Sequence, residues 1–280
     1  MTARPDMRMD RDASGIWTAE RDGFVLRTAF QPIFRFEKGR LAPIACEALL
    51  RVTRDGNPVL TDAFFRTLGK SAFCALEPEL RRLHIRNAVH IPQSERRLFL
   101  NLDPRIPEHP ARFGQVLRDI GDELRAIGMS PSDVVCEITE AETDNDAALT
   151  HFTYELRARG YMVAVDDYGA RASKPARVAA IAPDIVKFDG ALVRRLLETR
   201  SGEATLRLMV SRFRSDGIHS VLEGVEALQD IGPAETTGAA MIQGYALAAP
   251  RLAGPEFATW LAQYRPRPET PAAQLVKSFK

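Results

Sequence analysis

Glu47, Asn101, Glu137, the pair Asp166 and Asp167, Lys187, Glu223 and Gln243 each interrupt or end a run of apolar residues. The segments are CEALLR, LFLNLDP, VVCEITE, VAVDDYG, DIVKFDG, VLEGVE and MIQGYAL. Oxygen donors dominate this set and no cluster of Cys or His accompanies them, which suits hard divalent ions such as Mg²⁺, Mn²⁺ or Ca²⁺ rather than zinc. A carboxylate desolvated without a partner costs several kcal/mol, so carboxylates drawn to one point require a cation. Adjacent Asp166 and Asp167 could serve two ions, the first bridging and the second binding one. Two ions so placed can activate a water and steady a phosphoryl leaving oxygen, and phosphodiester hydrolysis is the natural reaction. Lys187 would hold a phosphate oxygen or the attacking water. Glu223 would either complete the second ion site or take the water's proton, and spacing does not separate those roles.

Taken singly, these residues are unremarkable. An acid pair commonly forms a turn or caps a helix, Asn101 before Asp103 and Pro104 reads as a loop former, and Gln31, Arg51 and Gln243 read as surface groups. Their joint occurrence at successive apolar-run ends changes the reading. From Glu47 the single residues follow at gaps of 54, 36, 29, 21, 36 and 20, each long enough for a helix and two loops. Strand and helix in regular alternation imply parallel pairing with right-handed crossovers, and about eight such units close into a barrel of about 250 residues. The carboxyl ends of barrel strands converge on one face, so one polar residue per strand end becomes an acid-lined pocket.

The elements between these ends fit that architecture. One amphipathic helix carries Leu76, Leu80 and Leu83, with Pro78 expected in its first turn. A second is expected from about Ala191 to Arg200, with Leu192, Val193, Leu196 and Leu197 on one face. Residues 1–22 read as a flexible start, residues 23–263 as the barrel domain, and residues 264–280, with Pro266, Pro268 and Pro271, as a proline-bearing tail.

Composition bounds the partners. A chain of 280 residues with a formal net charge of +1 has no global field to steer it to a nucleic acid polymer or a membrane, so phosphate binding must come from local charges. The start holds no apolar stretch that could act as a signal peptide or a membrane span. Cys46, Cys74 and Cys136 lack CxxC spacing and read as buried thiols of a reducing compartment, which makes a cytoplasmic location the expectation.

The motifs CEALLR, LNLDP, CEITE, DDYG, PDIVKFD, EGVE and QGY resemble, in order and spacing, those of the EAL-domain cyclic di-GMP phosphodiesterases, over about Phe24 to Leu252. The resemblance implies a TIM-like (β/α)8 barrel with one reversed strand, two Mg²⁺ or Mn²⁺ ions, and hydrolysis of cyclic di-GMP to linear pGpG. It makes Glu47, Asn101, Glu137 and Asp166 ligands of one ion, with Asp166 shared and Asp167 on the other. Glu223 falls at the second ion or acts as the base. Lys187 positions the attacking water, and Glu226 and Gln243 support the water and metal shell. Gln31 of FQPIF and Arg51 contact the dinucleotide, with Arg51 as a forked clamp for phosphate or guanine.

One stretch departs from the family. The loop that usually follows the two aspartates as G-T-G-Y-S-S-L is here Gly169, Ala170, Arg171, Ala172, Ser173, Lys174, Pro175. In the family this loop couples metal binding to the dimer interface and is anchored by the residue matching Glu140, which is present. The altered loop keeps a second reading alive, a catalytically weak receptor or interaction protein that binds cyclic di-GMP or a partner protein. A homodimer and a separate sensory or regulatory protein are the further expected partners.

Overall fold

The computed structural model describes residues 7–37, 40–103, 110–139, 146–170 and 175–264 of the 280. Arg8–Arg11 (β1) and Trp17–Arg21 (β2) form an antiparallel pair that extends a long hairpin of Phe24–Glu37 (β3) and Arg40–Arg54 (β4), edged by Asn57–Val59 (β5). Two helices follow, Thr61–Thr67 (α1) and Lys70–Asn87 (α2). Strand and helix then alternate through Arg97–Leu102 (β6), Pro110–Ala126 (α3), Val134–Thr139 (β7), Asp146–Ala158 (α4), Met162–Tyr168 (β8) and Pro175–Ile181 (α5). The alternation continues with Ile185–Phe188 (β9), helices Gly190–Leu197 (α6) and Arg200–Ser215 (α7), His219–Leu222 (β10), Ile231–Thr236 (α8) and Met241–Ile242 (β11). A short strand, Arg251–Leu252 (β12), and a last helix, Pro255–Ala262 (α9), complete it.

Eight strands close on themselves in the order β3, β11, β10, β9, β8, β7, β6, β4 and back to β3. From β4 through β11 the barrel pairs are parallel. β3 is antiparallel to both its neighbours, β4 and β11, and is the single reversed strand of the expected TIM-like barrel. Only two residues separate β3 from β4 in sequence, and short connections join antiparallel strands while parallel ones need a crossover.

The strands read as continuous apolar runs because both faces are buried. In β7, Val134, Cys136 and Ile138 pack outward into the main core under the helices, and Val135 points into the lumen. The lumen is filled by a layer drawing one residue from each barrel strand: Ile33, Ala45, Phe99, Val135, Ala164, Ile185, Val221 and Met241. β3 and β4 are long enough to rise above the barrel as a two-stranded ribbon. One face of that ribbon, with Phe24, Leu26, Leu50 and Val52, forms a second core with Phe64 of α1 and Leu76, Leu80 and Leu83 of α2.

Three local expectations change. Residues 8–21, assigned to a flexible start, form β1 and β2, because Met7, Met9 and Trp17 pack against the second core. The backbone of Trp17 also exchanges two hydrogen bonds of 2.9 Å with the Asn87 side chain. Pro78 lies at mid-helix rather than in the first turn, since α2 begins at Lys70. Its missing N–H removes one helical bond, offset by burial of the leucines on either side. The helix expected from Ala191 to Arg200 ends at Leu197, and α7 starts afresh with the Thr199 hydroxyl accepting the Gly202 N–H at 3.1 Å. Beyond Tyr264 the proline-bearing tail lies outside the described residues, as do Glu140 and positions 171–174 of the divergent loop.

Candidate active site

Side chains two apart on a strand share a face, so the apolar lumen layer predicts what lies one step nearer the carboxyl ends. Moving two residues up from Ala45, Phe99, Val135, Ala164, Ile185, Val221 and Met241 reaches Glu47, Asn101, Glu137, Asp166, Lys187, Glu223 and Gln243. On reversed β3 the corresponding step runs backward from Ile33 to Gln31, which pairs directly with Glu47. A ring of polar residues, one per strand, therefore caps the apolar layer.

Lys187 sits at the centre of this ring, 1% exposed. Its Nζ lies 2.6 Å from Glu137 Oε1, 2.7 Å from Glu223 Oε1, 3.1 Å from Asp166 Oδ1 and 3.3 Å from Glu47 Oε2. Burial alone would lower its pKa, but the charges of Asp166, Glu137, Glu47 and Glu223 outweigh that and hold the ammonium well above its ordinary value. Burial, reinforced by Glu47 and Asp166, pushes Glu137 well up despite Lys187. Burial likewise raises Glu223 to about 8, and burial with the adjacent Asp166 raises Asp167 to about 6.

Asp166 and Asp167 face one site because β8 is irregular there. Its register with β9 shifts between Val165 and Tyr168, and Asp167 adopts φ of 56°, a left-handed conformation that Asp tolerates better than most residues. The bulge puts one oxygen each of Asp166, Asp167 and Glu223 within 4.8 Å of one another. Gln243 donates from Nε2 to Glu47 Oε2 at 2.8 Å and fixes that carboxylate. Motif glycines allow the loops to meet. A Cβ on Gly224 would lie 2.7 Å from the Gly190 Cα, and one on Gly244 would lie 2.1 Å from the Val225 carbonyl oxygen.

The donor set fits divalent cations. An ammonium offers three N–H donors, fewer than the four carboxylates around Lys187 can use. Glu137 Oε2 and Gln243 Oε1 are buried without a hydrogen-bond partner, and Glu137 Oε1 and Asp166 Oδ1 meet the Lys187 ammonium at 2.6 and 3.1 Å. With Asp167 included, five carboxylates against one ammonium leave four formal negative charges, the number two divalent cations neutralise. All the donors are oxygens, as hard ions prefer.

The other sequence candidates divide. Asn101 is paired in register with Glu137 and exposed. Gln31 is buried and donates to the Ala248 carbonyl at 3.2 Å. Arg51 stands on the ribbon above the ring and donates to the Leu50 carbonyl at 2.9 Å. Glu226 is not gathered into the cluster: its carboxylate, 58% exposed, accepts from Arg194 of α6 at 2.9 Å. Arg194 was not found by sequence reasoning, because a helix arginine carries no signal of a partner 32 residues away.

Fold and ring together define an acid-lined TIM-like barrel. The chain belongs to the EAL domain family, whose model matches residues 19–250. It is 33% identical over 231 residues, 78% of this chain, to the cyclic di-GMP phosphodiesterase PdeB of Shewanella oneidensis. It is 25% identical over 213 residues, 73% of this chain, to the probable cyclic di-GMP phosphodiesterase PdeA of Escherichia coli. The chain spans 26% and 28% of the length of these two relatives. Among solved structures, the manganese and cyclic di-GMP complex of Klebsiella pneumoniae BlrP1 matches with a TM-score of 0.71 and 26% identity, over 91% of this chain and 62% of that one. No helix among the described residues is long and apolar enough to cross a membrane.

Proposed function

We propose that the chain is a phosphodiesterase that hydrolyses cyclic di-GMP to linear pGpG with two divalent cations, Mg²⁺ or Mn²⁺. The observation that carries this reading is the polar ring around Lys187, whose unpartnered buried oxygens and four excess negative charges match two such ions. When bound, the ions supply the positive charge that lowers the pKa of a water and stabilises the phosphoryl oxygens. Glu47, Asn101, Glu137 and Asp166 would hold one ion, and Asp166, Asp167 and Glu223 would hold the other. Lys187, kept charged by its four neighbours, orients the attacking water and cannot itself accept the proton. Glu223 has a second oxygen for that purpose, and its raised pKa reflects its affinity for a proton. Water adds to one phosphorus, the bond to the 3′ oxygen breaks, and the ring opens with a 5′-phosphate retained. Gln243 holds Glu47 in place, and Gln31 and Arg51 contact the dinucleotide.

Within this reading residues 23–263 are the catalytic domain, preceded by the segment 1–22 and followed by the tail 264–280. The protein works in the cytoplasm, as a homodimer, under a separate sensory or regulatory protein. Glu226 supports the shell through the loop that carries Glu223. The test is chromatography of cyclic di-GMP incubated with the protein in Mg²⁺, Mn²⁺ or Ca²⁺, beside Glu47→Ala. Product pGpG that is lost in the variant supports the reading. Cyclic di-GMP binding without product from the parent protein rejects it in favour of a receptor.

A further inference from the structure

Above the polar ring, the β3–β4 ribbon has a second face, of which the catalytic scheme uses only Arg51. Phe24, Leu26, Leu50 and Val52 point to the second core, so Val25, Arg27, Leu49, Arg51 and Thr53 occupy the opposite face, half-buried or exposed. The same alternation descends to Gln31 opposite Glu47, which makes this face a continuation of the wall of the site. Arg27 and Arg51 are direct cross-strand partners on it.

Like charges directly opposite in an antiparallel pair destabilise the sheet. Among the described residues neither guanidinium has an ion pair, and Arg51 satisfies only one N–H, on the Leu50 carbonyl. Glu20 of β2, which pairs with Val25, forms no ion pair with Arg27. Two adjacent, unneutralised guanidinia beside an acid ring call for an anion from outside the chain. Arg27 stands four residues beyond Gln31, about 13 Å of strand. A ligand that touches both the ring and this pair must therefore approach the size of a dinucleotide and carry a second negative group.

We propose that Arg27 joins Arg51 in a paired guanidinium clamp for the phosphodiester of the substrate that is not being cleaved, and so sets selectivity for ligands with two phosphates. This rests on the phosphodiesterase reading above. Arg27 is a binding residue: its effect falls on affinity, whereas the ring governs turnover.

The experiment measures cyclic di-GMP binding to the full chain by calorimetry in Ca²⁺ across a salt series. Steady-state hydrolysis in Mg²⁺ accompanies it, for cyclic di-GMP and for bis(p-nitrophenyl) phosphate, which has one phosphodiester. Arg27→Ala is expected to raise Kd and KM for cyclic di-GMP by roughly tenfold to a hundredfold, with kcat changed much less. The kcat/KM ratio of cyclic di-GMP to the single diester falls by the same factor, and the salt dependence of Kd weakens. Arg27→Lys recovers part of the affinity. A Kd within twofold of the parent, or equal losses on both substrates, overturns the clamp. If the parent protein binds cyclic di-GMP but hydrolyses neither substrate, the phosphodiesterase reading falls while Kd still decides Arg27. If it does not bind at all, both fall.

Discussion

The lumen of this barrel contains two layers built on the same eight strands and separated by one strand repeat. The lower layer, from Ile33 to Met241, is entirely apolar and close to fully buried. The upper, from Gln31 to Gln243, holds Lys187, four carboxylates within reach of it, and buried oxygens without partners. Burying apolar surface stabilises the fold, while burying unbalanced charge destabilises it. The difference shows a division of labour along each strand: two residues in sequence separate a group that holds the barrel together from one whose chemistry the barrel must tolerate. Divalent cations would remove the tension in the upper layer and leave the lower one unaffected.

The sharpest way to break that comparison is to remove one group from each layer. Glu137→Ala is expected to lower cyclic di-GMP hydrolysis by roughly 10³-fold. It should leave the metal-free melting temperature unchanged or higher, because a repelled buried carboxylate is gone. Phe99→Ala should do the reverse, costing about 3–5 kcal/mol of stability as a core cavity opens. Its remaining folded molecules should keep kcat within a few-fold. Denaturant melts paired with kcat per folded molecule decide it. A Phe99 variant that stays folded but loses turnover would show that the layers are not separable.

Lys187→Met probes the tension within the upper layer. Removing the one cation from among four acids leaves uncompensated buried charge, worth about 3–5 kcal/mol when one partner of a buried ion pair is deleted. Melts in EDTA should show that loss, and saturating Mg²⁺ should recover much of it, since bound cations stabilise the state that binds them. Equal losses with and without Mg²⁺ would mean that Lys187 supports packing rather than charge balance.

Seven of the eight ring positions were legible in the sequence because each interrupts or ends an apolar run, where a polar residue is costly without a shared purpose, while Gln31, inside FQPIF, entered through the family resemblance. The apolar layer beneath was not separately legible. Phe99, Val135 and Ala164 sit in runs buried on both faces, where lumen and outer face have the same composition. The β1–β2 pair escaped notice because Met9, Trp17 and Ala19 alternate with charged or polar residues over stretches too short to signal strands. It is held by a long-range network in which Asn87 donates to the Thr28 hydroxyl at 3.2 Å and Thr28 meets His84 Nδ1 at 2.9 Å. Glu226 follows Glu223 in the motif EGVE, and the motif gives no sign of its partner Arg194 on α6. The opposition of Arg27 and Arg51 depends on the β3–β4 register, which residue types alone do not give.

The layers should also differ in their response to pH, since only the upper one titrates. In the metal-free protein burial raises Glu223 from 4.5 to about 8 and pushes Glu137 up in the same sense, so above 4.5 the folded state holds protons that the unfolded state has released. Stability therefore falls as pH rises through this window. Below 6.5 the buried neutral His84, lowered to about 4 by desolvation, acts in the opposite sense, because the unfolded state then gains the proton. The clean interval is pH 6.5 to 8, where the metal-free protein should lose melting temperature with rising pH. Mg²⁺ should flatten the slope, because ions displace the proton that causes it. A flat profile in EDTA would remove Glu223 as a proton-holding group.

The smallest expected effect concerns the link between ring members. Gln243 donates to Glu47 and has its own carbonyl oxygen buried without a partner, so it both orients a proposed metal ligand and offers a further polar atom. Gln243→Met keeps the volume and removes both functions. Outer partners of metal ligands typically govern affinity by ten- to a hundredfold, so the Mg²⁺ concentration for half-maximal activity should rise by about that factor while kcat at saturating Mg²⁺ falls less. The intramolecular bond itself is worth about 1 kcal/mol, which predicts only a small change in melting temperature. An unchanged Mg²⁺ requirement with a fall in kcat would instead place Gln243 against the reacting water. The ring would then divide further, into residues that hold ions and residues that hold the nucleophile.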